Sequence, residues 1–212
     1  MSADAMARNL LVELFVEELP PKALRLLGDA FAEGIATGLA RRQLRADAPD
    51  WTAFASPRRL AAHVPGVAAQ AADRVERVKL MPVAVGLATD GTPTPALLKK
   101  LAALGADASA VPTLVRQADG KAEALFLERH LAGVTLVDGL QAALDETLAR
   151  LPIPKVMQYQ LADGWTSVNF VRPAHGLVAL HGADVVPVRA LGLEAGRQTH
   201  GHRFEALADP VM

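Results

Sequence analysis

The feature that most constrains this chain is a pair of short apolar runs near its C-terminal end, at residues 177–181 and 185–191. Both runs are rich in Val and Leu, and residues 182–184 (Gly-Ala-Asp) separate them, so the pattern predicts a β-hairpin. Pro187 cannot donate a hydrogen bond to a strand ladder, which predicts an edge position or a bulge in the second strand.

Both flanks of this hairpin carry cationic side chains on stiff backbone. Residues 170–175 read FVRPAH, and residues 199–204 read THGHRF. Arg presents a fixed fork of donors that suits carboxylate or phosphate, and Gly201 lets the backbone come close to a partner. Two interpretations stay open: a surface that holds an anionic partner, or arginines that serve internal ion pairs.

Composition sets limits on both interpretations. Of the 212 residues, 51% are hydrophobic and 4% aromatic, so a sizeable aliphatic core is available for one large domain or two small ones. The formal net charge is -1, so a nucleic-acid contact would have to come from a local patch. Cysteine is absent, which excludes disulfides and thiol chemistry and suits a reducing compartment. Glu13 interrupts the first apolar run, so no signal peptide is predicted.

Alternating hydrophobicity predicts several strands. Residues 9–16 form a strand with one apolar face and a second face that carries Glu13. Strands at 51–55 and 60–64 flank a bend that holds Arg58 and Arg59, and strands at 113–117 and 122–130 flank the hairpin signal Asp119-Gly120. Most of these strands are expected to pair antiparallel.

Three main helices are predicted from leucine stripes. The first begins at Pro21, and its three glycines (Gly28, Gly34 and Gly38) predict close packing against it. The second begins after Thr94 as N-cap, and the third after Thr135. We predict an α+β domain over residues 9–212, a disordered N-terminus at 1–8, and an inserted helical subdomain over 65–112.

Motifs for common catalytic chemistry are absent from the sequence. The one Gly-Lys pair, at 120–121, lacks the other residues of a phosphate loop, and neither HExxH nor G-x-S-x-G occurs. His200 and His202, with His175, could ligate a metal, but loop hydrogen bonding is the favoured role and no metal is predicted. Glu13 and Glu17 could act as an acid/base pair, or be a salt-bridged sheet face, which is favoured.

Five spaced segments stand out for their Pro, Arg and His content: residues 16–22 (VEELPPK), 55–61 (ASPRRLA), 151–155 (LPIPK), 170–175 (FVRPAH) and 201–204 (GHRF). Each is weak alone, but five in this order are specific. From about Leu10 to its end, the chain resembles the N-terminal part of the β subunit of bacterial heterotetrameric glycyl-tRNA synthetase. Members often carry Arg where this chain has His200.

The resemblance implies a truncated portion of a longer, cytoplasmic subunit, itself inactive, within a glycine–tRNA ligase. ATP, Mg and glycine would bind the separate α subunit, so no cofactor is expected on this chain. Expected partners are the α subunit, tRNA(Gly) and the rest of the β subunit in an α2β2 heterotetramer, with no membrane. The resemblance also implies a fold like the B3/B4-type domain of the phenylalanyl-tRNA synthetase β subunit.

The candidate contact residues are the cations at loops beside strands. We predict that they form a basic surface for tRNA phosphates or for neighbouring domains and subunits: Arg58, Arg59, Lys155, Arg172, His175, His202 and Arg203. A pure protein-interaction scaffold is one alternative. An editing-like hydrolase is another, which the B3/B4 analogy alone suggests.

Overall fold

The computed structural model describes residues 7–120, 122–161 and 163–201. In chain order the elements are β1 (Arg8–Val16), α1 (Leu24–Arg41), β2 (Thr52–Ser56), β3 (Arg59–Val67), β4 (Arg74–Pro82), α2 (Val83–Gly86), α3 (Pro95–Ala103), a 3-10 helix (Ala108–Thr113), β5 (Val115–Asp119), β6 (Ala122–Leu131), α4 (Leu136–Arg150), β7 (Met157–Gln160), β8 (Ser167–Phe170), β9 (Ala174–His181), β10 (Asp184–Val185), β11 (Arg189–Ala190) and β12 (Leu193–Glu194). The predicted α+β class, with antiparallel strand pairs and three longer helices, is confirmed.

The chain forms two compact units. The first joins the residues up to Ala72 to those from Val134 onward, and the second spans Asp73–Gly133. We predicted a helical insertion over 65–112, and the second unit has different limits and content. Residues 65–67 complete strand β3, and the β5–β6 hairpin pairs with β4, so a three-stranded sheet extends this unit to Gly133.

The first unit is built on a five-stranded antiparallel sheet in the order β10-β9-β1-β3-β2. One face of β1 is apolar and fully buried, through Leu10, Val12, Leu14 and Val16. Helices α1 and α4 pack with it into one core, as the leucine stripes predicted. The sheet therefore has one face committed to the helices, and Glu13 lies on the other face of β1.

Helix α1 begins at Leu24, so the prediction that Pro21 is its first residue was wrong. Residues 20–23 form a tight turn instead, in which the Ala23 N–H donates to the Pro20 carbonyl at 2.9 Å. This turn brings the chain from the end of β1 into the helix. The prediction of close packing at the α1 glycines is confirmed, since a Cβ added at Gly38 would lie 2.6 Å from the Ala143 Cβ of α4.

The predicted C-terminal hairpin is present as β9 and β10, but its second strand is short. β10 ends at Val185 and is an edge strand of the sheet, as the position of Pro187 predicted. The rest of the run leaves the sheet and forms β11, which pairs with β12 across a turn at Leu191 and Gly192, both with positive φ. One predicted strand thus becomes two.

The second unit has its own small core, formed by a sheet in the order β4-β6-β5 and by helix α3. The predicted N-cap is confirmed, because the Thr94 hydroxyl accepts a hydrogen bond from the Leu97 N–H at 3.4 Å. The hairpin at Asp119-Gly120 is confirmed too, with Gly120 at φ +68°. Among the described residues, no helix is long and apolar enough to cross a membrane.

Candidate functional site

Four of the five motif segments meet at one open cleft of about 950 Å³ in the first unit. Its wall is formed by Glu17, Glu18, Leu19, Pro20, Pro21, Pro57, Lys155, Met157, Arg172 and Pro173. We call this the motif cleft. These residues come from the loop after β1, the β2–β3 bend, the segment after α4 and the turn before β9. The fold therefore brings together segments that lie far apart in the sequence.

Backbone hydrogen bonds to prolines hold the loops of the motif cleft in place. The Glu17 N–H donates to the Pro173 carbonyl at 2.9 Å, and the Leu19 N–H donates to the Pro57 carbonyl at 2.6 Å. Pro has no N–H of its own and a fixed φ, so these bends are stiff and offer only their carbonyl oxygens for such links. The sequence thus builds a preformed wall from Pro-rich loops.

Arg172 is the better anchored of the two cations in the motif cleft. Its Nε donates to the Glu18 carbonyl at 2.9 Å, and its Nη1 donates to the Val171 carbonyl at 2.9 Å and contacts the Met157 sulfur at 3.1 Å. Its Nη2 has no hydrogen-bond partner within the described part of the chain. The guanidinium is therefore fixed in orientation while one corner of its fork stays available.

Lys155 differs from Arg172 because no described residue holds its ammonium group. The side chain is exposed, and within residues 7–120, 122–161 and 163–201 it makes no hydrogen bond or ion pair. A lysine ammonium has three donors and a full charge to offer. Lys155 is consequently the cation of the motif cleft with the greatest freedom to reach a partner.

Two carboxylates lie in the same wall, so the motif cleft has mixed charge. Glu17 Oε1 lies 2.8 Å from His175 Nε2, and both side chains are about half exposed. Glu18 also lines the cleft, through the loop whose carbonyl holds Arg172. A concave wall that contains both acids and bases suits a partner that carries both charges, such as a polypeptide, better than a uniformly anionic strand.

Arg59 turns away from the motif cleft toward the sheet face. Its Nε lies 3.0 Å from Glu13 Oε2, bent out of hydrogen-bond geometry, so this contact is an ion pair. The Glu13 side chain is only 11% exposed. Arg59 Nη2 donates to the Thr199 hydroxyl at 3.2 Å, and that hydroxyl donates to Glu13. Arg59 therefore serves an internal ion pair, one of the two interpretations left open above.

Arg58 lies in the same neighbourhood as Arg59, around an aromatic ring. Its guanidinium carbon lies 4.8 Å from the Phe15 ring centroid, and that of Arg59 lies 5.8 Å away. The ring of His200 stands 5.0 Å from the Phe15 ring. This aromatic and cationic cluster ties the segment before Gly201 to the sheet.

The seven predicted contact residues are thus divided. Lys155 and Arg172 meet in the motif cleft, His175 pairs with the cleft residue Glu17, Arg58 and Arg59 surround Phe15, and His202 and Arg203 lie outside the described residues. Sequence reasoning missed Glu18 and Met157 as wall residues. Glu18 lies inside the segment 16–22, and Met157 lies two residues after the segment 151–155, so the signal for both was the Pro-rich segments themselves.

Neither an acid/base pair of Glu13 and Glu17 nor a metal site is found among the described residues. Glu13 pairs with Arg59 and Glu17 with His175, so the two carboxylates have separate partners. Among the described residues, no three His, Cys, Asp or Glu side chains come together in a way that could hold a metal.

Comparison with known proteins matches almost the whole chain. Residues 10–211 match a family model described as glycyl-tRNA synthetase beta subunit. The chain is 70% identical over 203 residues to the glycine–tRNA ligase beta subunit of Leptothrix cholodnii, covering 96% of this chain and 28% of that protein. For Acidovorax ebreus the identity is 67% over 206 residues, covering 97% of this chain and 29% of that protein.

A third relative supports the same assignment. The glycine–tRNA ligase beta subunit of Dechloromonas aromatica is 63% identical over 210 residues, covering 97% of this chain and 30% of that protein. The chain thus spans less than a third of the length of these relatives. On the family match and these identities, the chain belongs to the glycyl-tRNA synthetase beta subunit family.

Proposed function

We propose that this chain is a non-activating portion of the β subunit of a glycine–tRNA ligase. It would support the ATP-dependent attachment of glycine to tRNA(Gly) through contacts with tRNA or with other parts of the enzyme. In this proposal ATP, Mg and glycine bind the α subunit, and the assembly is a cytoplasmic α2β2 heterotetramer. Family membership supports the proposal, as does the absence of a phosphate loop from the sequence.

The observation that carries the proposal is the meeting of four motif segments at the motif cleft. The segments by which the chain resembles its family form one concave surface with stiff walls, and such surfaces are typical binding sites. We infer that the motif cleft holds a neighbouring part of the ligase. Its mixed charge favours a polypeptide there, and the free ammonium of Lys155 could reach a carboxylate or a phosphate at the rim.

The seven cations take different roles in this proposal. Lys155 and Arg172 contact the partner directly, while Arg58, Arg59 and His175 shape the loops that carry them. His202 and Arg203 follow Gly201 and remain candidates for partner contact. We further propose that the first unit has the B3/B4-type architecture, an idea that its antiparallel sheet with helices on one face supports.

The test uses a complete β subunit that contains this chain, assembled with its α subunit. We expect Lys155→Glu to lower kcat/KM for glycylation of tRNA by about tenfold, a loss of about 1.4 kcal/mol. The rate of glycine activation, measured by ATP–pyrophosphate exchange, should stay unchanged. The matched control is Lys100→Glu, at an exposed site on α3 in the second unit without a described ion pair.

Two readouts identify the partner of Lys155. If it is a tRNA phosphate, the slope of log binding constant against log salt should fall by about one for Lys155→Ala. If it is protein, the affinity between the subunits or domains should fall instead. Glycylation that is equally insensitive to charge reversal at Lys155 and Lys100 would contradict the proposed role of the motif cleft.

A further inference from the structure

The hairpin formed by β7 and β8 is firmly attached to the first unit by its inner face. Phe170 at the end of β8 is 1% exposed and belongs to the core. The Tyr159 hydroxyl accepts a hydrogen bond from the Ala174 N–H at 3.3 Å, and burial raises the pKa of this tyrosine. The base of the hairpin is therefore anchored to the core of the first unit.

The tip of this hairpin presents an indole ring to solvent. Trp165 is 92% exposed. Asp163 orders the turn, because its Oδ1 accepts hydrogen bonds from the Trp165 and Thr166 N–H groups, both at 2.9 Å. Its Oδ2 accepts one from the Thr166 hydroxyl at 2.6 Å. A large aromatic side chain on an ordered turn can bind a flat partner at little entropic cost.

The outer face of the ribbon carries only uncharged hydrogen-bonding side chains. In the antiparallel register Gln158 faces Asn169 and Gln160 faces Ser167, and all four are exposed. The inner pairs are Met157 with Phe170 and Tyr159 with Val168. Because side chains alternate between the faces of a strand, the amide and hydroxyl groups share one side.

Charge on this hairpin also favours one kind of partner. The one acidic residue in its sequence, Asp163, already accepts three hydrogen bonds within the turn. Those bonds, first the one from the Thr166 hydroxyl, lower the pKa of its carboxyl group. At the base of the hairpin stand Lys155 and Arg172. A negatively charged backbone would therefore meet amides along the ribbon and cations at its foot.

This combination is the one that proteins use for unpaired nucleotides. Bases that are not in a duplex stack on exposed aromatic rings, and amide side chains hydrogen-bond to their edges. An apolar protein pocket that received Trp165 would instead call for apolar side chains around it, as interface cores have. The chain neighbours of Trp165 are Gly164 and Thr166, Asp163 precedes them, and the apolar Leu161 side chain lies against Gly192.

We propose that the β7–β8 hairpin binds unpaired nucleotides of an RNA, with Trp165 as the stacking residue and with Gln158 and Asn169 contacting base edges. Taking that RNA to be a single-stranded segment of tRNA rests on the proposed function. The site itself rests on the exposure of Trp165, the ordered turn and the amide face. Its stacking and base-contact residues, Trp165, Gln158 and Asn169, are not part of the motif cleft, and the two sites share only the cations at the foot of the hairpin.

The fluorescence of Trp165 can be used to measure RNA binding at the hairpin. The chain has two tryptophans, so Trp51→Phe leaves Trp165 as the sole indole. We expect a short single-stranded RNA of mixed sequence to quench its fluorescence in a saturable manner, and the same strand in a duplex to quench it far less. A second measurement keeps Trp51 and follows the anisotropy of dye-labelled RNA. There Trp165→Ala should weaken binding by about tenfold and Trp165→Phe much less.

Isosteric changes test the amide face. Gln158→Glu and Asn169→Asp keep the shape and add negative charge, so each should weaken RNA binding, whereas Lys100→Ala should not. The proposal is overturned if single-stranded RNA leaves the Trp165 fluorescence unchanged, or if the Trp165→Ala variant binds RNA as tightly as the unaltered chain. It is also overturned if only the α subunit quenches the fluorescence, because that would indicate a protein pocket for Trp165. None of these outcomes depends on the glycylation assay at Lys155, so failures of the two proposals are separable.

Discussion

At the scale of the residue, two arginines of the motif segments show how position decides role. Arg59 begins β3 and lies over the face of β1 that carries Glu13, so it is ion-paired on the sheet. Arg172 sits in a turn, is held by the Glu18 carbonyl and lines the motif cleft. Both lie in motif segments, yet Arg172 lines the motif cleft and Arg59 does not.

Replacing Arg59 should therefore affect stability. We expect Arg59→Gln to lower the free energy of unfolding by about 3 kcal/mol, because it leaves the largely buried Glu13 without its counter-ion. Urea denaturation of the chain measures the change. The control is Arg25→Gln, an almost fully exposed member of an i,i+4 pair on α1, which should cost below about 0.5 kcal/mol.

The double variant sharpens this test. Adding Glu13→Gln to Arg59→Gln removes the unpaired buried charge, so part of the lost stability should return. If Arg59→Gln lowers the free energy of unfolding as little as Arg25→Gln does, Arg59 has no structural role and is again a candidate for partner contact.

The sequence identified these residues but not the face of the sheet to which each side chain points. The pattern put Arg58 and Arg59 at a bend and Glu13 on the less apolar face of β1, and both positions are right. The pairing of β1 with β3 joins residues that lie far apart in the sequence. It aligns Glu13 with Ala61, two residues beyond Arg59. A shift of one residue in that register would turn Arg59 to the other face, so the ion pair could not be predicted from the local sequence.

At the scale of the element, the α1–α4 pair depends on small residues at its contact. A Cβ at Gly34 would lie 2.6 Å from the Thr147 hydroxyl oxygen, and one at Gly38 would lie 2.6 Å from the Ala143 Cβ. Both distances are shorter than side-chain atoms can tolerate. The glycines thus trade helix propensity for close packing of the two helices.

Gly38→Ala should consequently destabilise the chain, by about 1–3 kcal/mol through overpacking. The sign is diagnostic, because Ala in place of Gly inside a helix ordinarily stabilises by about 1 kcal/mol. Thermal or urea unfolding measures it, and adding Ala143→Gly should restore much of the loss. A stabilising Gly38→Ala would show that the helices can separate freely at this point.

An ion-pair network links the same two helices and should make stability depend on pH. Glu146 on α4 accepts hydrogen bonds from Arg42 at 2.5 Å and Arg41 at 2.7 Å, and the Arg42 bond is the main cause that lowers the pKa of Glu146. A lowered folded-state pKa means that the contribution is present above the ordinary value of 4.5 and is lost as pH falls through the lower folded value.

The Glu146→Gln variant isolates this contribution. We expect it to be less stable than the unaltered chain at neutral pH, with the difference shrinking as pH drops below about 4.5. Urea midpoints measured from pH 7 to pH 3 follow the trend. A difference that stays constant with pH would assign the effect to packing rather than charge.

Sequence patterns predicted the individual helices, caps and hairpins better than they predicted side-chain contacts or the arrangement of the loops. The Thr94 cap, the hairpin at Gly120 and the stripe of α4 depend on neighbours within a few residues, and all three are present. The error at Pro21 came from a competing local use of the same residues, a tight turn that returns the chain from the sheet. The 185–191 strand divides for a similar reason at residues 186–188, where the Val188 N–H donates to the Val186 carbonyl at 2.8 Å in a tight turn around Pro187.

At the scale of the whole molecule, the proposed function rests on loops from four distant segments that form one wall. The sequence supplied the list of segments and the family, but not their meeting, because that depends on β1 being central to the sheet between β9 and β3. Once that order is known, the loop after β1 must lie between the β2–β3 bend and the turn before β9. The motif cleft follows from topology.

The chemical reactivity of Lys155 in the assembled ligase tests whether the motif cleft holds another part of the enzyme. Amine labelling read by mass spectrometry compares this chain alone with a complete β subunit bound to its α subunit and tRNA. We predict that Lys155 becomes several-fold less reactive on assembly while Lys100 keeps its reactivity. Undiminished labelling of Lys155 in every assembled state would contradict it, because a motif cleft that holds part of the ligase cannot leave its free ammonium open to solvent.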